Sequence, residues 1–132
     1  MSWAYVVEEA HLRSRSAFDA LKAHERIEVL LTSLGIPAAI PLEFATLRNA
    51  TRRHKACGGP AIVAKLRNEL VHAKKKHRGN AATRRHVLFQ ARELTLGYIE
   101  LALLAILHYK GRYTRRITGV FRAAAITTVP WA

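Results

Sequence analysis

At 132 residues, half of them hydrophobic and only four of them proline, the chain reads as one folded domain with its own core, which excludes wholesale disorder. The 22 lysines and arginines stand against 9 acids, a formal charge of +13, and self-repulsion of that size opposes compaction, so a polyanionic partner is expected, RNA or DNA before an anionic membrane surface. The single cysteine, Cys57, excludes an intrachain disulfide and gives no sign of an oxidising compartment.

Taken in order, residues 3–13 read as a short helix or arm, and residues 1–15 lack the basic start and apolar run of a signal peptide. Ser16-Ala17-Phe18-Asp19 supplies the side-chain cap and early acid of a helix start. Ile27, Leu30, Leu31 and Leu34 follow at helical spacing until Gly35 ends the helix. Ile36 to Pro41 is apolar but incompatible with a helix. Pro41 is placed to open a second helix, with Leu42, Phe44, Ala45 and Leu47 inward and Arg52-Arg53-His54-Lys55 at its end. Gly58-Gly59 breaks it, and Pro60 opens a third helix that runs toward Gly79-Asn80. A fourth helix, from about Ala82 to Tyr109 and stopped by Gly111, is the most apolar. Its stretch from Leu94 to Leu107 is too short to cross a bilayer and is interrupted by Glu100. No window alternates as a strand does. The tail, residues 114–132, adds at most a turn or two over Phe121 to Ile126 and docks through Pro130-Trp131. The expectation is an all-α protein: an antiparallel bundle of four to five helices, one domain over residues 1–132, with a long apolar C-terminal helix and a cytoplasmic location.

The segment Arg67-Asn68-Glu69-Leu70-Val71-His72 carries the chemistry. An arginine holds a phosphate and neutralises charge developing on it. A histidine titrates near neutrality and can move the proton of a ribose hydroxyl. Successive helical residues turn by about 100°, so Ile62, Leu66, Leu70 and Ala73 form the stripe facing the core. Asn68 and His72 lie one turn apart on the other side, and Arg67 sits at the edge, roughly 140° from His72. Ala61, Ala64 and Val71 flank the motif and suit an isologous homodimer in which two copies of it face each other; the alternative is an ordinary solvated face. The cations that follow, Lys74, Lys75, Lys76 and Arg78, either complement a helix dipole or form a phosphate-tracking rim. Arg84 and Arg85, at the start of the next helix and so oppositely placed for its dipole, favour the rim.

Other constellations are weaker. His54 and Cys57 make half a zinc site, short of the four ligands required, so no metal is expected, and Cys57 reads as a free loop thiol. Gly58-Gly59-Pro60 lacks the lysine and spacing of a Walker loop. Glu69, Glu93 and Glu100 are isolated acids that bridge neighbouring cations, Glu100 being held by an arginine or tyrosine. Tyr109-Lys110-Gly111-Arg112-Tyr113 either stacks on bases or terminates the bundle.

Arg67, Asn68 and His72 resemble the signature of the HEPN family: an arginine, often followed directly by a polar residue, then a histidine after four to six residues. The resemblance extends more loosely from Phe18 to Tyr113, and is greatest to the HEPN-type domains at the C-terminal ends of larger prokaryotic defence proteins. Arg48-Asn49 with His54 is a second match, read as part of the basic rim or as a helix cap. The resemblance implies a metal-independent, cofactor-free endoribonuclease, dimeric with a composite cleft, acting in antiviral defence or toxin–antitoxin growth arrest, with an antitoxin or a larger defence protein as context. His72 would transfer protons, Arg67 would stabilise the phosphorane-like transition state, and Asn68 would orient phosphate or imidazole. The products would carry 2′,3′-cyclic phosphate and 5′-hydroxyl ends. The alternatives are a non-catalytic RNA- or nucleotide-binding or assembly module of the same type, and a basic architectural DNA binder.

Overall fold

The computed structural model describes residues 19–72, 81–117 and 122–131. Among these the chain is mostly helical: α1 (Ala23–Ser33), α2 (Ala45–His54), α3 (Gly59–His72) and α4 (Ala81–Ile106). The all-α expectation needs a correction, because β1 (Arg112–Thr114) pairs antiparallel with β2 (Ile126–Thr128), Tyr113 opposite Thr127, and a 3₁₀ turn (Arg122–Ala125) leads into β2. Three residues a strand are too few for alternation to register in the sequence.

The helix ends follow from local chemistry. Ser16 lies outside the described residues; α1 itself starts at Ala23, where the Glu25 carboxylate accepts the Lys22 N–H at 2.6 Å. It stops as the sequence indicates. Gly35, at φ +71°, donates to the Thr32 carbonyl and Ile36 to the Leu31 carbonyl, closing the helix with a left-handed glycine. Pro41 does not open α2. Its carbonyl accepts the Phe44 N–H in a turn, so that Phe44 and Leu47 plunge into the core while Leu42 and Ala45 stay exposed. His108, at φ +56°, rather than Gly111, ends α4, with the Tyr109 N–H bonded back to the Leu104 carbonyl.

Two apolar clusters hold the elements together. Phe44 and Leu47 meet Ile62 and Leu66 of α3 and Val87, Ala91 and Leu94 of α4. Leu31, Leu34 and Ile36 meet Leu101, with Tyr113 and Trp131 packed against them. Trp131 docks, its indole N–H donating to the Tyr109 carbonyl at 2.8 Å. The expected long apolar helix is 26 residues long but not apolar throughout: Arg84, Arg85, Arg92, Glu93 and Glu100 interrupt it, and the strand pair follows it. No helix among the described residues is long and apolar enough to cross a membrane.

Two polar contacts fix how these parts sit. Phe44, at the N-cap of α2, has no side-chain oxygen with which to cap it. The buried Gln90 of α4 does so instead, its Oε1 accepting the Leu47 N–H at 2.8 Å. At the start of α3, the Ala38 carbonyl accepts both the Gly59 N–H (2.8 Å) and the Tyr98 hydroxyl (3.0 Å). Burial, helped by the nearby charge of Glu28, pushes the Tyr98 phenol up to about 12.

Gly59 leaves no room for a side chain: an added Cβ would strike the Tyr98 hydroxyl and approach the Ala38 carbonyl to 2.9 Å. Gly59→Ala is expected to lower stability by about 1–3 kcal/mol through overpacking. Gly97→Ala, whose Cβ would approach only Arg116 at 4.0 Å, is the control and should be neutral or slightly stabilising. Urea unfolding of the two variants measures the contrast.

Candidate nucleic-acid interface

Helix α3 changes character along its length. Gly59 to Ile62 and Leu66 are buried, whereas every residue from Arg67 to His72 is exposed. Leu70 was expected in the core but is 53% exposed, because the helix runs past the partners that cover Ile62 and Leu66; Ala73 lies outside the described residues. The guanidinium of Arg67 donates to the Asn68 carboxamide oxygen at 3.3 Å. Among the described residues, no hydrogen bond or ion pair joins either of them to His72. Lys74, Lys75, Lys76 and Arg78 lie outside the described residues. Arg84 is half-buried and Arg85 exposed on the first turns of α4.

The second arginine–histidine match lands in a more structured place. His54 is the last residue of α2, and its Nδ1 lies 2.9 Å from Oε1 of Glu69 on α3. One turn before Glu69, Lys65 donates to the carbonyls of His54 and Lys55, the latter at 3.1 Å. A cation therefore sits at the partial negative charge of the α2 C-terminus, where the chain turns through Lys55 in the left-handed region (φ +49°). The Lys65–Glu69 spacing of four, which places both on one face of α3, was the available signal for this corner; which helix it would meet was not. Expected zinc chemistry at His54 and Cys57 was already excluded on ligand number. Among the described residues no group of three or more His, Cys, Asp or Glu is arranged to hold a metal ion, and Cys57 is an exposed free thiol.

The distribution of acids sets the electrostatics. Arg116 clamps α4 by contacting Glu100 at 2.6 Å and Glu93 at 3.3 Å, so Glu100 is indeed held by an arginine. Glu93 also meets Arg92, and Glu43 meets Arg115. Glu69 is taken by His54. Arg48, Arg52, Arg53 and Lys55 are all exposed on α2 and its end, and none has an acid within ion-pair reach among the described residues. Arg48, Arg52 and Lys55 follow one another at helical spacing, so the outward side of α2 is a ridge of one sign.

Fold and surface thus define a small, strongly basic, mostly helical domain closed by a short strand pair. The model of the YopA C-terminal domain family matches residues 1–127, and the chain belongs to that family. It is 27% identical over 133 residues to the SPbeta prophage-derived uncharacterized protein YopA of Bacillus subtilis (strain 168). That alignment takes in 99% of this chain and 28% of the relative, so the chain spans little more than a quarter of the relative's length. No solved structure matches it. Family membership overturns the HEPN resemblance: the family that matches is another one, and no HEPN family matches. A signature of one arginine and one histidine is short, and a chain with 22 lysines and arginines and 7 histidines meets such a spacing twice. The settings in antiviral defence and toxin–antitoxin arrest came with that resemblance and lose their support.

Lys65→Met should weaken the α2 corner by about 0.5 kcal/mol at low salt and by less at high salt, since dipole interactions at a helix end are screened. Urea midpoints at two ionic strengths provide the measurement.

Proposed function

We propose that the chain is an RNA-binding module whose main contact surface is the outward side of α2. The observation that carries this reading is the ridge of Arg48, Arg52, Arg53 and Lys55, exposed and without acidic partners among the described residues. Each phosphate neutralised by such a ridge releases counterions, which drives binding and makes it steeply salt-dependent. Arg84 and Arg85, with Lys74, Lys75, Lys76 and Arg78 next to them in sequence, would widen the track. A flexible single strand suits the domain better than a duplex. The exposed end of α3 offers a carboxamide (Asn68) and an imidazole (His72), groups that hydrogen-bond unpaired base edges and the 2′-hydroxyl.

Fluorescence anisotropy with labelled single-stranded RNA across a salt series tests this reading. The double change Arg52→Ala with Arg53→Ala is expected to weaken all sequences alike and to flatten the salt dependence by about 0.7 in log–log slope for each phosphate no longer neutralised. Unchanged binding would place the interface elsewhere. Equal affinity for duplex DNA would favour the architectural reading.

A second reading is RNA cleavage without a metal by Arg67, Asn68 and His72. It is favoured by their common exposure on the last turns of α3 and by the Arg67–Asn68 hydrogen bond, which holds the guanidinium in place. Arg67 and His72 diverge by about 140° around the helix, so a second copy facing the first would have to complete the cleft. His72 would take the 2′-hydroxyl proton while the 2′-oxygen bonds to phosphorus. The 5′-oxygen would leave with a proton, giving a 2′,3′-cyclic phosphate and a 5′-hydroxyl. Purified protein incubated with labelled RNA in EDTA should then release these ends, and His72→Ala should abolish the release. Intact RNA with the wild type, or cleavage that survives His72→Ala, rejects the reading.

A further inference from the structure

Helix α4 shows a second face that none of the described elements uses. Phe89, Ile99, Leu103, Ile106 and Leu107 are between 43% and 74% exposed. The last four recur over barely more than two turns, on the side away from Leu94, Tyr98, Leu101 and Ala105, which pack inward. From Thr95 to Leu107 the only charged residue is Glu100, already clamped by Arg116. An uncharged apolar stripe on a chain of +13 is a contact surface, because scattered exposed side chains do not line up along one helix.

We propose that residues 3–13 of the same chain cover this stripe. Trp3, Val6, Val7 and Ala10 stand at i, i+3, i+4 and i+7, the spacing of a helix with a single apolar side. Eleven helical residues extend about 16 Å, and Ile99 to Leu107 about 12 Å, so the lengths agree. The family match takes in residues 1–127, so the segment is part of the domain that the family shares.

The segment is also within reach. Arg26 holds the carbonyls of Asp19 (2.6 Å) and Leu21 (3.1 Å), which fixes the chain entering α1 against that helix. Helix α1 lies beside α4, since the charge of Glu28 is felt at Tyr98. Six residues separate Asp19 from residue 13, at most about 20 Å of extended chain. Charge selects this occupant over a second copy. A copy would bring another +13 to the surface, whereas the segment brings Glu8 and Glu9, two of the 9 acids.

The emission of Trp3, taken as the difference between wild type and Trp3→Phe, reads the contact directly. In the wild type it should be blue-shifted and protected from acrylamide severalfold relative to a free indole. Leu103→Glu should restore the emission and quenching of an exposed tryptophan while far-UV circular dichroism keeps its helical signal. A wild-type Trp3 as exposed as a free indole overturns the proposal whether or not the Leu103 variant folds. So does a wild-type dimer by light scattering that Leu103→Glu splits without changing Trp3, which would assign the stripe to a second copy.

Discussion

One backbone oxygen, that of Ala38, ties together the connection before α2, the first residue of α3 and the middle of α4 by accepting both the Gly59 N–H and the Tyr98 hydroxyl. Because the contact is made by backbone against backbone at a residue with no side chain, α3 can begin pressed against α4, and the direction of α3 is set there. Everything at its other end, from Arg67 to His72, inherits that direction and is carried out beyond the core. The exposed motif is therefore a consequence of where the helix is anchored as much as of its own residues.

The same economy governs charge. With 9 acids for 22 basic side chains, few cations can be paired, and the acids that make pairs do so mainly where segments must be joined. Glu93 and Glu100 receive Arg116 and so hold the stretch after β1 to α4, Glu43 receives Arg115, and Glu69 receives His54 across the α2–α3 corner. What remains unpaired on α2 is concentrated on one side. These exposed pairs contribute little each to stability; their weight lies in which cations they leave free.

Much of this was legible in the sequence. Helical spacing located the cores of all four helices, Gly35 ended α1 where a left-handed residue was needed, and Trp131 was placed correctly as docked. Boundaries decided by tertiary contact were not legible. Pro41 was a sound first residue for a helix, but the need to bury Phe44 moved the start to Ala45. Leu70 continued an apolar stripe whose partners end at Leu66, and spacing alone cannot tell where the neighbouring helix stops. The strand pair depends on residues fourteen apart in register rather than on alternation, and the His54–Glu69 contact joins two helices whose crossing no local pattern encodes. Kinship was misread for a related reason: two abundant residue types at a loose spacing carry little information in so basic a chain.

The buried Gln90 has a bearing on how the molecule comes into being. A ten-residue helix is marginal in water by itself, and α2 has no cap of its own. The oxygen that completes its first turn arrives 43 residues later in the chain. During synthesis the cationic ridge thus acquires its fixed shape only after the middle of α4 has emerged and closed back on it. The nascent chain carries positive charge early, but a surface with defined spacing late, so ordered binding is deferred to the finished domain.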